Sequence, residues 1–323
     1  MSVTPETYGT LRTMQEHDVT SSDGTRIRVW QTSADGPAVL LCPGLGTTPE
    51  TWPALLLPTA GVRALSWYHR GTMGSARPED ESRIGLADHV ADAIAVLDDA
   101  GIESCVLLGW SMGVTVAAEL ALRHPDRVSG LMLVAGAPGD SFEGTLGIAG
   151  VPSDLRRFIG LTGAKSLRAA GPVLDFVLHR LPINDVTTFL LRHSGLMLSS
   201  SAPEAVAGSM KRFLLHDWGW YFTLALALGQ TPRQNLAGVT CPTTVLAGKY
   251  DVLASPESMA GPAGALPQAR VRVLPTSHFL PLEAPDVVTE ELLLLIDRVD
   301  AVHRALCDLD PPAPLTSGSR PHA

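Results

Sequence analysis

Gly109-Trp110-Ser111-Met112-Gly113 is the stretch on which the reading of this 323-residue chain turns. The apolar run Cys105-Val106-Leu107-Leu108 before it reads as a strand, and Val114 to Arg123 after it reads as a helix. A serine on a strand-to-helix turn, with small residues two before and two after, has the layout of a nucleophile elbow. In so tight a turn, side chains at 109 and 113 would collide with neighbouring chain, and glycine at both positions removes the clash. The serine hydroxyl is then thrust out at the carboxyl end of a sheet, beside a helix N-terminus. Five residues of this kind also arise by chance, so the strand before and the helix after carry the weight.

Outward from the elbow, apolar β-branched runs alternate with helical patterns, the signature of a mostly parallel sheet covered on both faces. Arg26 to Trp30 alternates in character after the turn Ser22-Asp23-Gly24, which predicts an early antiparallel hairpin. Ala38 to Cys42, Ala64 to Tyr68 and Val128 to Val134 read as further strands, and Leu86, Val90, Ile94 and Leu97 recur at helical spacing before Gly101. From Pro138 to Gln230 no convincing strand occurs, only helical segments punctuated by Gly171-Pro172, Leu181-Pro182 and Ala202-Pro203. Strands resume at Thr243 to Ala247 and Arg270 to Leu274, and a helix over Asp286 to Arg298 closes the pattern. The expected organisation is one α/β sheet domain, 1–137 with 231–307, interrupted by a helical insertion at 138–230. The tail 308–323, rich in Pro, Ser and Gly, reads as disordered.

Composition narrows the partners. Hydrophobic residues make up 45% of the chain and charged residues 18%, ordinary for a soluble enzyme-sized domain. A net charge of −9 argues against nucleic acid or an anionic membrane as partner. No apolar run approaches the roughly 20 residues of a membrane span, and Met1 to Gln15 lacks the basic and apolar regions of a secretory signal. Cys42, Cys105, Cys241 and Cys307 show no paired ligand spacing, and the first two lie in strand-like runs, so buried thiols in a reducing cytoplasm are expected. The histidines show no metal-ligand pairing, so no metal is expected. Gly44-Leu45-Gly46-Thr47-Thr48-Pro49 half mimics a dinucleotide loop, but Pro49 stands where a third glycine belongs and the next strand ends in Trp67-Tyr68 with no ribose-binding acid. No cofactor is expected. The sequence is silent on oligomeric state.

A serine is a poor nucleophile until a base takes its proton, so Ser111 requires a histidine and a group to orient it. Both must lie at the carboxyl ends of strands to reach the elbow. Asp251 follows the strand ending at Ala247, and His278 follows the strand ending at Leu274. The order Ser, Asp, His is the one used by α/β-hydrolases. Together with Cys42-Pro43-Gly44-Leu45-Gly46, His69-Arg70-Gly71-Thr72-Met73-Gly74-Ser75, Gly248-Lys249-Tyr250-Asp251 and Leu282-Glu283-Ala284-Pro285, these stretches make the chain resemble an α/β-hydrolase over nearly its whole length.

The resemblance implies an eight-stranded, mostly parallel sheet with residues 138–230 as a helical cap. It also implies a catalytic triad of Ser111, His278 and Asp251, and an oxyanion hole from the backbone N–H groups of Leu45 and Met112. Pro43 departs from the histidine usual before that glycine, which bears on Leu45 rather than on Met112. The reaction implied is hydrolysis of a carboxylic ester, lactone or thioester with an apolar moiety. Carbon–carbon bond hydrolysis, perhydrolase-type chemistry and a catalytically silent ligand-binding role are the alternatives. Trp110, Trp218, Tyr221 and Phe222 are candidates for the substrate pocket, the competing reading being that the aromatic cluster packs the cap onto the main domain. Asp140 is the rival acid. Of the other histidines, His69 and His89 are the ones nearest to strand ends and the sheet, and both are expected to be structural.

Overall fold

The structure, a computed structural model, describes residues 14–144, 152–264, 266 and 268–307. The tail 308–323 lies outside these residues. Eight strands form one sheet: β1 (Met14–Thr20), β2 (Arg26–Thr32), β3 (Ala38–Cys42), β4 (Arg63–Trp67), β5 (Cys105–Trp110), β6 (Val128–Val134), β7 (Thr243–Gly248) and β8 (Ala269–Leu274). Their spatial order is β1-β2-β4-β3-β5-β6-β7-β8. β1 pairs antiparallel with β2 and β2 with β4, so the expected hairpin forms at one edge. From β4 to β8 every pairing is parallel.

The central strands are apolar along their whole length because they are covered on both faces. On one face, α1 (Leu86–Asp99) and α2 (Gly113–Arg123) bury Val90, Ala93, Leu97, Val116 and Leu120 against Leu40, Leu107 and Leu131. Between β6 and β7 the described residues form six α-helices, α3 (Ser141–Gly144), α4 (Ser153–Ala169), α5 (Gly171–Leu178), α6 (Asp185–Arg192), α7 (Pro203–Phe213) and α8 (Trp218–Gly229), and no strand. After β7 come α9 (Pro256–Ala263), then β8, the single turn α10 (Leu280–Glu283) and α11 (Pro285–Leu306). α11 covers the other face, where Val288, Leu292 and Leu295 meet Val106, Leu108 and Met132. It runs further than the apolar pattern to Arg298 predicted, because its last turns are exposed and carry no core-facing signal.

One buried ion network ties the antiparallel edge to this frame. Arg70 is fully buried and its guanidinium grips Asp92 of α1 through two hydrogen bonds of 2.9 and 2.7 Å. It also donates to Asp23 in the β1–β2 turn and to the Ser21 hydroxyl. Removing one partner of such a buried cluster leaves an uncompensated charge and typically destabilises by about 3–5 kcal/mol.

Candidate active site

Ser111 sits between β5 and α2 with φ at 56°, in the left-handed region that a non-glycine residue adopts only when its surroundings hold it there. Those surroundings are visible. A Cβ on Gly113 would lie 2.0 Å from the Cys42 carbonyl oxygen, and one on Gly109 would lie 2.7 Å from the Gly113 oxygen. The two glycines therefore let β3, β5 and the start of α2 pack closely enough to fix the turn. Ser111 N donates to Val134 O at 3.0 Å, which pins the turn to β6 as well.

The sheet brings both sequence-predicted partners to this serine. His278 Nε2 lies 2.9 Å from Ser111 Oγ, and His278 Nδ1 lies 2.9 Å from Asp251 Oδ2. Asp251 is fully buried, and its other oxygen accepts from Leu253 N and Ala254 N, each at 2.8 Å. With Nδ1–H donating to the carboxylate, Nε2 is left as an acceptor facing the serine hydroxyl. Asp140 is elsewhere: its carboxylate faces Arg157 at 3.6 Å and its backbone N–H donates to Thr231 O.

His69 and His89 face each other instead, Nδ1 to Nδ1 at 3.3 Å, with His69 Nε2 donating to Pro43 O at 3.1 Å. Burial, and then the neighbouring His89, push His69 down to about 3. Burial and then Arg70 do the same for His89, also to about 3. This neutral pair sits directly beneath the Pro43-Gly44-Leu45 turn. Leu45 and Met112 both line the space above Ser111, and among the described residues neither backbone N–H donates to a backbone carbonyl.

That space is a cavity of about 510 Å³. Its floor is Ser111, His278 and the Leu45 turn; its opposite wall comes from the helices between β6 and β7, chiefly Leu191, Val206, Met210 and Phe213. Among the described residues, no Lys, Arg, Asp or Glu lines it. No cluster of described His, Cys, Asp and Glu residues is placed to hold a metal ion, and no described helix is long and apolar enough to cross a membrane. Cys42 and Cys105 are buried free thiols, Cys241 is half-buried and Cys307 is exposed. Burial pushes the Cys105 thiol up to about 12 and the Cys241 thiol to about 11.

Of the four aromatic residues expected at the pocket, Trp110 and Tyr221 line the cavity and Trp218 and Phe222 do not. Each helical residue turns the side chain by about 100°, so Phe222 leaves the face of Tyr221, whereas Trp218 lies one turn before Tyr221 on the same side and is taken up by packing. Trp218 packs edge-on against Phe213, and Phe222 packs on Trp218 and Tyr221. Trp110 has a second task that the sequence did not signal: its Nε1 donates to the His278 carbonyl at 3.1 Å and its ring lies 5.5 Å from the imidazole. Met210 and Phe213 also escaped the sequence reading, although Val206, Met210 and Phe213 follow the i, i+4, i+7 spacing of one helix face.

Comparison with known proteins fits this geometry. A family described as the alpha/beta hydrolase fold matches residues 37–285. The chain belongs to the α/β-hydrolase fold family. It is 36% identical over 116 residues to an epoxide hydrolase of Caballeronia sordidicola, covering 35% of each chain. It is 34% identical over 133 residues to a pimeloyl-[acyl-carrier protein] methyl ester esterase of Photobacterium profundum, covering 41% of this chain and 50% of that one. The matched stretches thus span a third to a half of these curated α/β-hydrolase relatives. The structure superposes on the enol-lactonase of Burkholderia xenovorans LB400 with a TM-score of 0.65 at 21% identity, over 87% of this chain and 99% of that one. Hydrolytic chemistry is common to these names, and the chain is an enzyme of this α/β-hydrolase family.

Proposed function

We propose that the protein is a cofactor-independent serine hydrolase that cleaves a carboxylic ester, lactone or thioester carrying an apolar moiety. The observation that carries this reading is the unbroken hydrogen-bonded line from Ser111 Oγ through His278 to Asp251 Oδ2 at the floor of an uncharged cavity. His278 Nε2 takes the hydroxyl proton as Ser111 Oγ attacks the carbonyl carbon, and Asp251 holds the tautomer and steadies the imidazolium that forms. The backbone N–H groups of Leu45 and Met112 are the donors offered to the oxyanion; removal of one such donor typically slows a reaction about 100- to 1000-fold. The leaving alcohol or thiol receives the proton from His278. Water, activated by the same base, then hydrolyses the acyl-enzyme.

On this reading residues 138–230 act as a cap whose apolar side chains hold the nonpolar part of the substrate, since clefts of this kind are lined mainly by apolar groups. The similarity to an epoxide hydrolase does not carry that activity over: epoxide opening in this fold uses a carboxylate nucleophile, and position 111 is serine. A fluorophosphonate probe tests the reading. Wild type is expected to label at Ser111 and Ser111→Ala to stay unlabelled; a wild type that fails to label overturns it in favour of a ligand-binding role. A panel of esters and lactones of graded chain length then defines the acyl group.

A further inference from the structure

We propose that Glu283 is a positioning residue through which the seating of the loop at Leu198 sets the orientation of His278. This rests on reading Ser111 and His278 as the reacting pair. Glu283 ends α10 and is 7% exposed. Its Oε2 accepts from the backbone N–H of Ser277 at 2.7 Å, and its Oε1 accepts from the Ser277 hydroxyl at 2.6 Å. The same Oε1 accepts from the backbone N–H of Leu198 at 2.7 Å. Leu198 lies between α6 and α7, 85 residues away in sequence, whereas Ser277 is the chain neighbour of His278. One buried carboxylate thus joins the helical segment to the residue before the base.

The three bonds cannot be changed one at a time. A buried carboxylate that loses a donor regains one only by moving, because burial keeps it from turning to bulk solvent. If the Leu198 N–H withdraws, Glu283 shifts, and with it the backbone of Ser277. His278 then keeps its ring bonds to Asp251 and Ser111 and the bond from Trp110 to its carbonyl, but loses the fixed backbone on its N-terminal side. The loop is also in touch with the cavity: Leu196 and Met197 line it, as does Leu282 one residue before the carboxylate. A substrate long enough to rest on this wall presses the loop onto Glu283, and a short one does not. The link makes kcat, not only KM, respond to chain length.

Two readouts test this. In the first, kcat per fluorophosphonate-titrated site is measured with an acetyl and an octanoyl ester for wild type, Glu283→Gln, Glu283→Ala, Leu198→Pro and Leu198→Ala. Proline removes the N–H donor along with the side chain, whereas alanine removes the side chain alone and is expected to keep the wild-type kcat. Displacement of a reacting group by 1 Å costs about 100-fold, so partial loosening predicts about a tenfold fall in octanoyl kcat for Glu283→Ala, with KM within about twofold. Glu283→Gln, which keeps an acceptor, falls less. Leu198→Pro falls in the same direction and, like Glu283→Ala, narrows the octanoyl-to-acetyl ratio. The second readout needs no turnover: the downfield NMR resonance of the His278 Nδ1 proton, assigned by its loss in His278→Ala. It is expected to broaden or disappear at neutral pH in Glu283→Ala and Leu198→Pro.

An unchanged resonance in both variants, or a kcat per titrated site within twofold of wild type, overturns the proposal. A kcat loss matched by an equal KM increase also overturns it, since that marks a damaged pocket. A wild type that neither labels nor turns over esters refutes the serine-hydrolase reading, and the resonance then decides this proposal by itself.

Discussion

The sheet and the helices between β6 and β7 bury their apolar residues to different degrees. β3, β5 and β7 bury nearly every side chain, whereas Phe158 of α4, Phe176 of α5 and Phe189 of α6 are 66%, 62% and 56% exposed. The helical segment meets the rest of the chain through its cavity-facing side chains, through Trp220 and Leu224 of α8 buried against Ile84, and through a few polar ties. Arg212 of α7 reaches the Tyr68 hydroxyl and Glu50, Trp220 Nε1 donates to Arg70 O, and Leu198 N–H donates to Glu283. A fully packed frame holds reacting atoms to within a fraction of an ångström, while a lightly tied wall can yield to the shape of a ligand. Changes in the frame, and at the Leu198–Glu283 tie that joins it to the helical segment, should therefore act on kcat, and changes elsewhere in the helical segment on KM and chain-length preference.

The sharpest way to break this division is to start with the frame. Ser111→Ala or His278→Ala should lower kcat by about a millionfold with an unchanged circular dichroism spectrum, and Asp251→Asn by about 10,000-fold. Near-full activity in Asp251→Asn combined with loss in Asp140→Asn would move the acid from the loop after β7 to the loop after β6. Next in size is the seam between the two regions. Gly46 has φ at 75°, and a Cβ there would lie 2.6 Å from the Phe213 ring. Gly46→Ala should cut kcat about 10- to 100-fold by displacing the Leu45 donor; an effect confined to KM would place that turn with the wall instead.

Smaller effects belong to the wall. Met210→Ala should raise KM about 5- to 10-fold for an octanoyl ester and hardly alter an acetyl ester, as expected for a few methylene contacts in an apolar pocket. A matching fall in kcat with both esters would contradict the division. The smallest is a pH effect within the frame. His69 and His89 titrate at about 3 in the folded chain and near 6.5 when unfolded. Their contribution to stability is complete above about pH 6.5 and declines as pH falls toward 3, because the unfolded chain then binds the additional protons. The urea unfolding free energy should drop by about 2 kcal/mol between pH 7 and pH 5.5, less so in His89→Gln. A flat profile would mean that the pair is charged or open to water.

These two regions were also unequally legible. β3, β5, β6 and β7 announce themselves because each is a short, unbroken apolar run, and parallel strands place whatever follows them at one end of the sheet. Ser111, Asp251 and His278 could be found for that reason: each comes soon after a strand. The wall offered no such rule. Trp218 and Phe222 looked as suitable for a pocket as Tyr221; the rotation of α8 turns Phe222 away, and the position of Trp218 one turn earlier, against Phe213, keeps it out of the cavity. Met210 and Phe213 had the right spacing, but a helix face pattern does not say what the face meets. The tie between Leu198 and Glu283 was out of reach, since a backbone N–H leaves no mark in a side-chain pattern.

The backbone of Ser111 has a consequence for how such a chain changes over generations. A left-handed non-glycine residue costs roughly 1–2 kcal/mol relative to glycine, so Ser111→Gly would make this turn more stable than it is now. Drift under selection for folding alone would discard the hydroxyl first. A serine kept in that conformation is a trace of use, and a copy released from its task should lose it long before the sheet around it shows any wear.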